Sequence, residues 1–331
     1  MPANLTPQYH KAEERYRQAS SPEEELACLQ EMLRELPKHK GTDKLQAELK
    51  AKIAKAKEES QKAAKSKKGH SFKIPRQGAG RVVLLGGPNV GKSALVAAVT
   101  NAKPEVAPYP FTTREPAPAM MPWEDVMVQL IDTPPITREF CDPNVLGLIR
   151  GADLALLLVD LGADEGIDHC QDVLTYLNGT KTRLARTSYL DEDDIGLSFT
   201  QAFLVPNKID LPEARERLEL LHEFVPVDLP EYVVSAEHGE GLETLREAIY
   251  KALDVVRVYT KHPNHKEPDY DRPFTLRRGG TVQDVAELIH KDFAKNLKGA
   301  RVWGHGVHDG TPVKGDHVLH DKDVVELHVT P

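Results

Sequence analysis

The sequence predicts an α/β protein built on a mostly parallel sheet covered by helices on both faces, preceded by an α-helical hairpin and followed by a small sheet wrapped on one helix. Three observations carry this expectation. Strand-like apolar runs at Val82, Val126 to Ile131, Leu154 to Val159, Phe203 to Val205 and Tyr232 to Val234 alternate with helical stretches. The glycine-rich segment Gly86-Gly87-Pro88-Asn89-Val90-Gly91-Lys92-Ser93 stands between the run Val82 to Leu85 and a helical stretch Ala94 to Val99, and Asn207-Lys208-Ile209-Asp210 closes a later run. The two ends of the chain read differently from this middle, one helical and one strand-rich.

Taken in order, Leu26, Leu29, Leu33 and Leu36 recur at helical spacing after Ser21-Pro22-Glu23, a start signal with proline in the first turn and acids behind it. A break at Pro37 to Gly41 leads into Leu45, Leu49 and Ile53 on one helical face, which predicts a hairpin. Residues 50–73 are rich in lysine, and Gln61 to Lys68 has almost nothing to bury; this stretch reads either as a solvated helix tail and linker or as a surface for RNA phosphates. Residues 1–79 are thus expected to form the hairpin and basic linker, 80–258 the nucleotide domain, 259–271 a polar linker and 272–331 a compact tail. Within the second unit, Asn178 to Thr200 reads as an irregular surface insertion. In the tail, Phe274 to Leu276, Arg301 to Trp303 and Val324 to Val329 read as strands and Val282 to Phe293 as a helix.

The central motifs define a chemistry. G-x-x-x-x-G-K-[ST] between a strand and a helix is a phosphate-binding loop: its glycines turn backbone amides inward, and the helix from Ala94 presents its positive end to the same charge. Lys92 would reach the β- and γ-phosphates, and the Ser93 hydroxyl would ligate Mg²⁺. Asp210 offers two acceptors to the guanine N1–H and exocyclic amine, Asn207 is placed for the base edge, and the Lys208 stem for the ring, which favours GTP and GDP over adenine nucleotides. The motif ends a strand, where open α/β sheets bind their ligands. Ser235-Ala236-Glu237, ending the run Tyr232 to Val234, is placed to add backbone contacts to the base.

Composition narrows the setting. A net charge of −8 gives no global case for nucleic acid, so any such contact must be local. Cys28, Cys141 and Cys170 are scattered without ligand spacing, and the tail histidines lack a paired-ligand pattern, so neither a disulfide framework nor a zinc site is expected. The polar N-terminus and the absence of a long apolar run predict a cytoplasmic protein with no membrane partner.

With these residues in hand, the chain resembles the Obg-like GTPases, most closely the developmentally regulated GTP-binding branch with a C-terminal TGS domain. The resemblance rests on Lys40-Gly41-Thr42 to Lys55, the loop at Gly86, Tyr109-Pro110-Phe111-Thr112-Thr113, Val302-Trp303-Gly304 and Gly315 to Leu319 followed by Asp321 to Val325. It implies a β-grasp tail able to meet a protein partner, and a GTPase linked to the ribosome or RNA. It also implies that Thr113 closes over Mg²⁺ and the γ-phosphate as a catalytic group beside Lys92, that Asp132 holds Mg²⁺ through water, and that Asn89 coordinates K⁺. Two positions depart from the family pattern. Pro135, in Asp132-Thr133-Pro134-Pro135, replaces the glycine of D-x-P-G and removes an amide that would bind the γ-phosphate. Ile136 stands where Ras-like proteins carry a water-orienting glutamine. Three readings follow: a slow Mg²⁺-dependent GTP hydrolase that K⁺ could stimulate, a GTP-binding assembly module with little hydrolysis, and an RNA-binding adaptor.

Overall fold

The computed structural model of the chain describes residues 5–19, 22–37, 42–65, 74–100, 115–191, 197–263 and 265–329. Its N-terminal part contains three helices, α1 (Pro7–Gln18), α2 (Pro22–Glu35) and α3 (Asp43–Lys65). The expected hairpin is α2 with α3. The added α1 has no leucine stripe; it buries Tyr9 and Ala12 against Leu29, Met32, Leu36, Leu49 and Ala56, and Thr6 caps it by accepting from the Tyr9 amide at 3.1 Å. The backbone of α3 runs to Lys65, but the side chains of the lysine-rich stretch from 58 to 73 lie outside the described residues.

The central sheet is built from β1 (Arg81–Leu85), β2 (Ala117–Trp123), β3 (Val126–Asp132), β4 (Leu154–Asp160), β5 (Thr182–Ala185), β6 (Tyr189–Leu190) and β7 (Ser198–Asn207). Its helices are α4 (Lys92–Val99), α5 (Pro143–Arg150), α6 (Glu165–Asn178), α7 (Ala214–Phe224) and α8 (Leu242–Ala252). Strand order is β2-β3-β1-β4-β7-β5, parallel except for the β2–β3 hairpin, with β6 antiparallel on β7. Both faces are covered, which is why Val82 to Leu85 of β1 and Leu154 to Val159 of β4 are continuous apolar runs. Val83 and Leu85 pack with Val145, Ile149, Val173 and Leu221 on one side, and Val82 and Leu84 pack with Leu95, Val96, Leu245 and Ile249 on the other.

Two expectations are revised here. The segment 178–200 is not wholly irregular: it supplies β5, β6 and the start of β7, and Tyr189 stacks on Phe199 with ring centroids 4.3 Å apart. Conversely, Tyr232 to Val234 is not a continuous strand; the segment meets β7 only through parallel bridges at Leu204–Glu231 and Asn207–Val234.

The C-terminal sheet has the order β11-β10-β12-β8-β9, with strands β8 (Val255–Thr260), β9 (Asp269–Arg277), β10 (Leu297–Trp303), β11 (Thr311–Val313) and β12 (Asp323–Val329). Helices α9 (Val282–Ile289) and α10 (Lys291–Lys295) take the place of the single helix expected over 282–293, with the break at His290, whose ring nitrogen accepts from the Asp292 amide. One face closes on Val256, Val258, Val285, Ala286, Val302 and Val325. The boundary also moves: β8 pairs with β9 and β12, so 255–260 belongs to this sheet and not to the end of the nucleotide domain or a linker. The alternation explains this, since Val256 and Val258 enter the small core while Arg257 and Tyr259 face the larger domain.

That interface centres on Arg257, whose side chain is 6% exposed. It binds Asp321 in a two-pronged contact at 3.0 and 2.7 Å, reaches Asp125 at 2.9 Å and also contacts Glu124. Tyr259 donates its hydroxyl to Asp125. Glu124 and Asp125 are the two-residue turn of the β2–β3 hairpin, with Glu124 at φ 47°. At the other end of this hairpin, Ala117 lies opposite Asp132.

Candidate nucleotide site

The site forms at the carboxyl ends of β1, β3, β4 and β7, where their following loops converge. The turn out of β1 needs glycine at two points. Gly86 has φ 156°, and a Cβ there would lie 2.9 Å from the Leu158 carbonyl oxygen; Gly91 has φ 90°, and a Cβ there would lie 2.4 Å from Asn207 Nδ2. Between them Pro88 is half-buried, Val90 is buried, and Asn89 is exposed in the left-handed region at φ 59°. The loop leads directly into α4, so its amides and those of Ser93 and Ala94 share one helix N-terminus.

Lys92 folds back over this loop, with Nζ donating to the carbonyl oxygens of Gly86 at 3.3 Å and Gly87 at 3.0 Å. Burial lowers its pKa to about 8, against the opposing attraction of Asp132. The Ser93 hydroxyl hydrogen-bonds Asp132, bringing together a hydroxyl and a nearly buried carboxylate at the foot of the loop. Hard oxygen donors at this place fit Mg²⁺. Thr113, the third expected ligand, lies outside the described residues, as does the rest of the segment from Asn101 to Arg114.

The segment after Asp132 is held against the loop. Thr133 donates its hydroxyl to the Leu84 carbonyl at 2.6 Å, and the Ile136 amide donates to the Gly86 carbonyl at 3.1 Å. Pro135 carries no N–H. The Ile136 side chain is buried in the core with Val83, Leu85 and Ile131.

Asn207 ties the remaining motifs together. Its amide donates to the Val90 carbonyl at 2.9 Å, and its side-chain oxygen accepts from the Ala236 amide at 3.0 Å. The sequence places Asn207 at the base edge; the structure uses its amide to fasten the phosphate loop to the 235–241 turn. Lys208, at φ 69°, donates from Nζ to Asp160 at 2.6 Å, and Asp160 also accepts from the Gly162 amide at 2.7 Å. Asp210 is contacted by His238, whose Nδ1 lies 3.2 Å from Oδ2. Its pKa is held below the usual carboxylate range, by a hydrogen bond from Ser235 first and by His238 in addition. Ser235 is fully buried, Ala236 is half-buried, and Glu237 is exposed.

Asp160 and His238 are the residues that motif reading misses. The first had a signal, an acid closing the apolar run Leu154 to Val159. The second had none. No group of three His, Cys, Asp or Glu side chains among the described residues converges as a metal site, which includes the tail histidines in that range. No helix among them is long and apolar enough to cross a membrane.

Comparison with known proteins bears on the family and the fold. A family model described as "50S ribosome-binding GTPase" matches residues 81–187, and a TGS domain model matches residues 256–329. The fold is that of a P-loop GTPase followed by a TGS domain. An uncharacterized GTP-binding protein of Methanocaldococcus jannaschii is 32% identical over 365 residues, covering 92% of each chain. An uncharacterized GTP-binding protein of Halobacterium salinarum is 28% identical, covering 92% of this chain and 98% of its own. Developmentally-regulated G-protein 1 of Arabidopsis thaliana is 28% identical, covering 88% and 87%. The chain belongs to the developmentally regulated GTP-binding protein family.

Proposed function

We propose that this GTP-binding protein is a slow, Mg²⁺-dependent GTP hydrolase that acts as a ribosome- or RNA-associated regulator in the cytoplasm. The observation that carries the nucleotide assignment is the Asn207 bridge, which fastens Val90 of the phosphate loop to Ala236 of the base-side turn and so sets the distance between phosphate and guanine subsites. Lys92 and the amides from Gly86 to Ala94 would take the phosphates, Lys208 and Asp210 with the Ser235-Ala236-Glu237 turn the guanine, and Ser93, Asp132 and Thr113 the Mg²⁺, which would supply positive charge to the phosphate oxygens. Catalysis would rest on Lys92 and Thr113 through positioning and charge neutralisation. K⁺ held near Asn89 would add charge where an arginine finger acts in other GTPases. The ribosomal part of the reading is supported by the match of residues 81–187 to the 50S ribosome-binding GTPase family, and a protein partner is proposed for the TGS domain.

A second reading, a GTP-binding assembly module with little turnover, is favoured by one feature: the Ile136 side chain is buried and its amide is spent on Gly86, so neither positions water. Steady-state GTP turnover with and without K⁺, together with ribosome co-sedimentation, separates the two. Turnover with co-sedimentation supports the regulator; nucleotide binding without turnover supports the module. Equal calorimetric affinities for GTP and ATP would overturn the guanine assignment that both share.

A further inference from the structure

An ionised carboxylate has about four lone-pair sites. Guanine needs two of Asp210's, one for N1–H and one for the exocyclic amine, and the carboxylate must be turned so that both face the base. Asp210 lies in the loop between β7 and α7, so its rotation is not fixed by the backbone alone, and the Ser235 hydroxyl donates to its carboxylate from one side. The turn from Ser235 to Gly241 provides what is missing. It is closed by hydrogen bonds from the Ser235 amide to the Glu240 carbonyl and from the Gly239 amide to the Ser235 carbonyl, both at 2.9 Å. The His238 amide donates to Ser235 Oγ at 3.0 Å, which fixes the start of the histidine side chain. The ring then reaches back, placing Nδ1 3.2 Å from Asp210 Oδ2 and 3.5 Å from Ser235 Oγ. The Asp210 side chain is only 14% exposed although the residue lies on a surface loop.

We infer that His238 is a positioning residue for guanine selection: beside the Ser235 hydroxyl, its ring occupies a second acceptor site of Asp210 from behind and so leaves the remaining sites turned toward the base. The inference rests on the guanine reading of Asp210. Because the ring itself is 64% exposed, its contribution is that of a surface contact and is small.

The test compares GDP with IDP, which keeps the N1–H but lacks the exocyclic amine. Calorimetric dissociation constants of both are measured for the wild-type protein, His238→Ala and His238→Asn, the last keeping a side-chain N–H donor of similar reach. His238→Ala is expected to weaken GDP about threefold to fivefold and IDP less, so that the GDP preference falls; His238→Asn is expected to recover most of it. A loosened turn would instead weaken both nucleotides equally, and that result, an unchanged pair of affinities, or tighter GDP binding in the alanine variant would overturn the proposal. Failure of the wild-type protein to prefer guanine over adenine nucleotides would overturn the underlying reading instead.

Discussion

Replacing Arg257 by methionine tests how the C-terminal sheet is attached. Methionine keeps much of the stem's bulk over Tyr250, whose ring lies 5.7 Å from the guanidinium carbon, and removes only the charge and its hydrogen bonds. The buried cation then leaves Glu124, Asp125 and Asp321 facing one another without it. Breaking a fully buried pair costs about 3 to 5 kcal/mol. Here the carboxylates are 54%, 28% and 37% exposed and can turn toward water, so the expected loss is lower, about 2 kcal/mol. The pH dependence has a definite sign. The Arg257 hydrogen bond lowers the Asp321 pKa; for Asp125, burial pushes upward but hydrogen bonds from Tyr259 and Arg257 bring the net value down. Carboxylates depressed in the folded state give stability that is present above their unfolded value of about 3.9 and is lost as pH falls through the folded value. The wild-type attachment should therefore weaken below about pH 4, and the variant should show a shallower acid loss. Hydrogen exchange is the direct assay: at neutral pH, amides of 255–260 and of the hairpin tip at 123–126 should exchange about 30-fold faster in the variant. Wild-type exchange rates in both segments would refute the clamp.

Three further outcomes are expected. Because Lys92 has a pKa lowered to about 8 by burial, and phosphate would favour its charged form, GDP affinity should fall about tenfold between pH 7 and 9, with proton uptake on binding near pH 8 measurable by calorimetry in buffers of different ionisation enthalpy; a flat profile would mean that the loop binds phosphate without this charge. If K⁺ is held near Asn89, GTP turnover in KCl should exceed that in NaCl at matched ionic strength and Asn89→Ala should erase the difference, whereas equal rates remove K⁺ from the mechanism. Pro135→Gly should restore an amide donor and favour a GTP analogue over GDP by about 1 kcal/mol or somewhat more, read from the two dissociation constants; an unchanged ratio would leave γ-phosphate recognition to the Thr113 segment.

The nucleotide site was legible because its chemistry constrains local sequence. A loop that must bring backbone amides around phosphates needs glycine where φ is positive or a Cβ would collide, as at Gly86 and Gly91, and those needs leave a short fixed pattern. The buried strands were legible for a related reason, since a sheet covered on both faces leaves Val82 to Leu85 in β1 and Leu154 to Val159 in β4 as unbroken apolar runs. Helix α1 escaped notice because tyrosine and alanine fill its buried face and give little contrast with its polar positions. The strands β5 and β6 escaped because four residues and two residues are too short for an alternation to emerge from a charged stretch.

Interactions across the chain leave a weaker trace. Arg257 and Tyr259 alternate with Val256 and Val258, the pattern of a strand with one polar face; the expected boundary at 258 cuts through it, and the pattern does not say what that face meets. Its partners lie more than a hundred residues earlier, in the turn Glu124-Asp125, where acids read simply as solvated turn residues. Only the fold brings the two together, and the same is true of Asn207 with Val90. In both cases the bond was not readable, because hydrogen-bond geometry depends on a separation in space that sequence separation does not encode. The second role of Asn207 shows the consequence for function: the guanine motif signals a base contact, yet in the folded chain that side chain also sets where the phosphate loop stands.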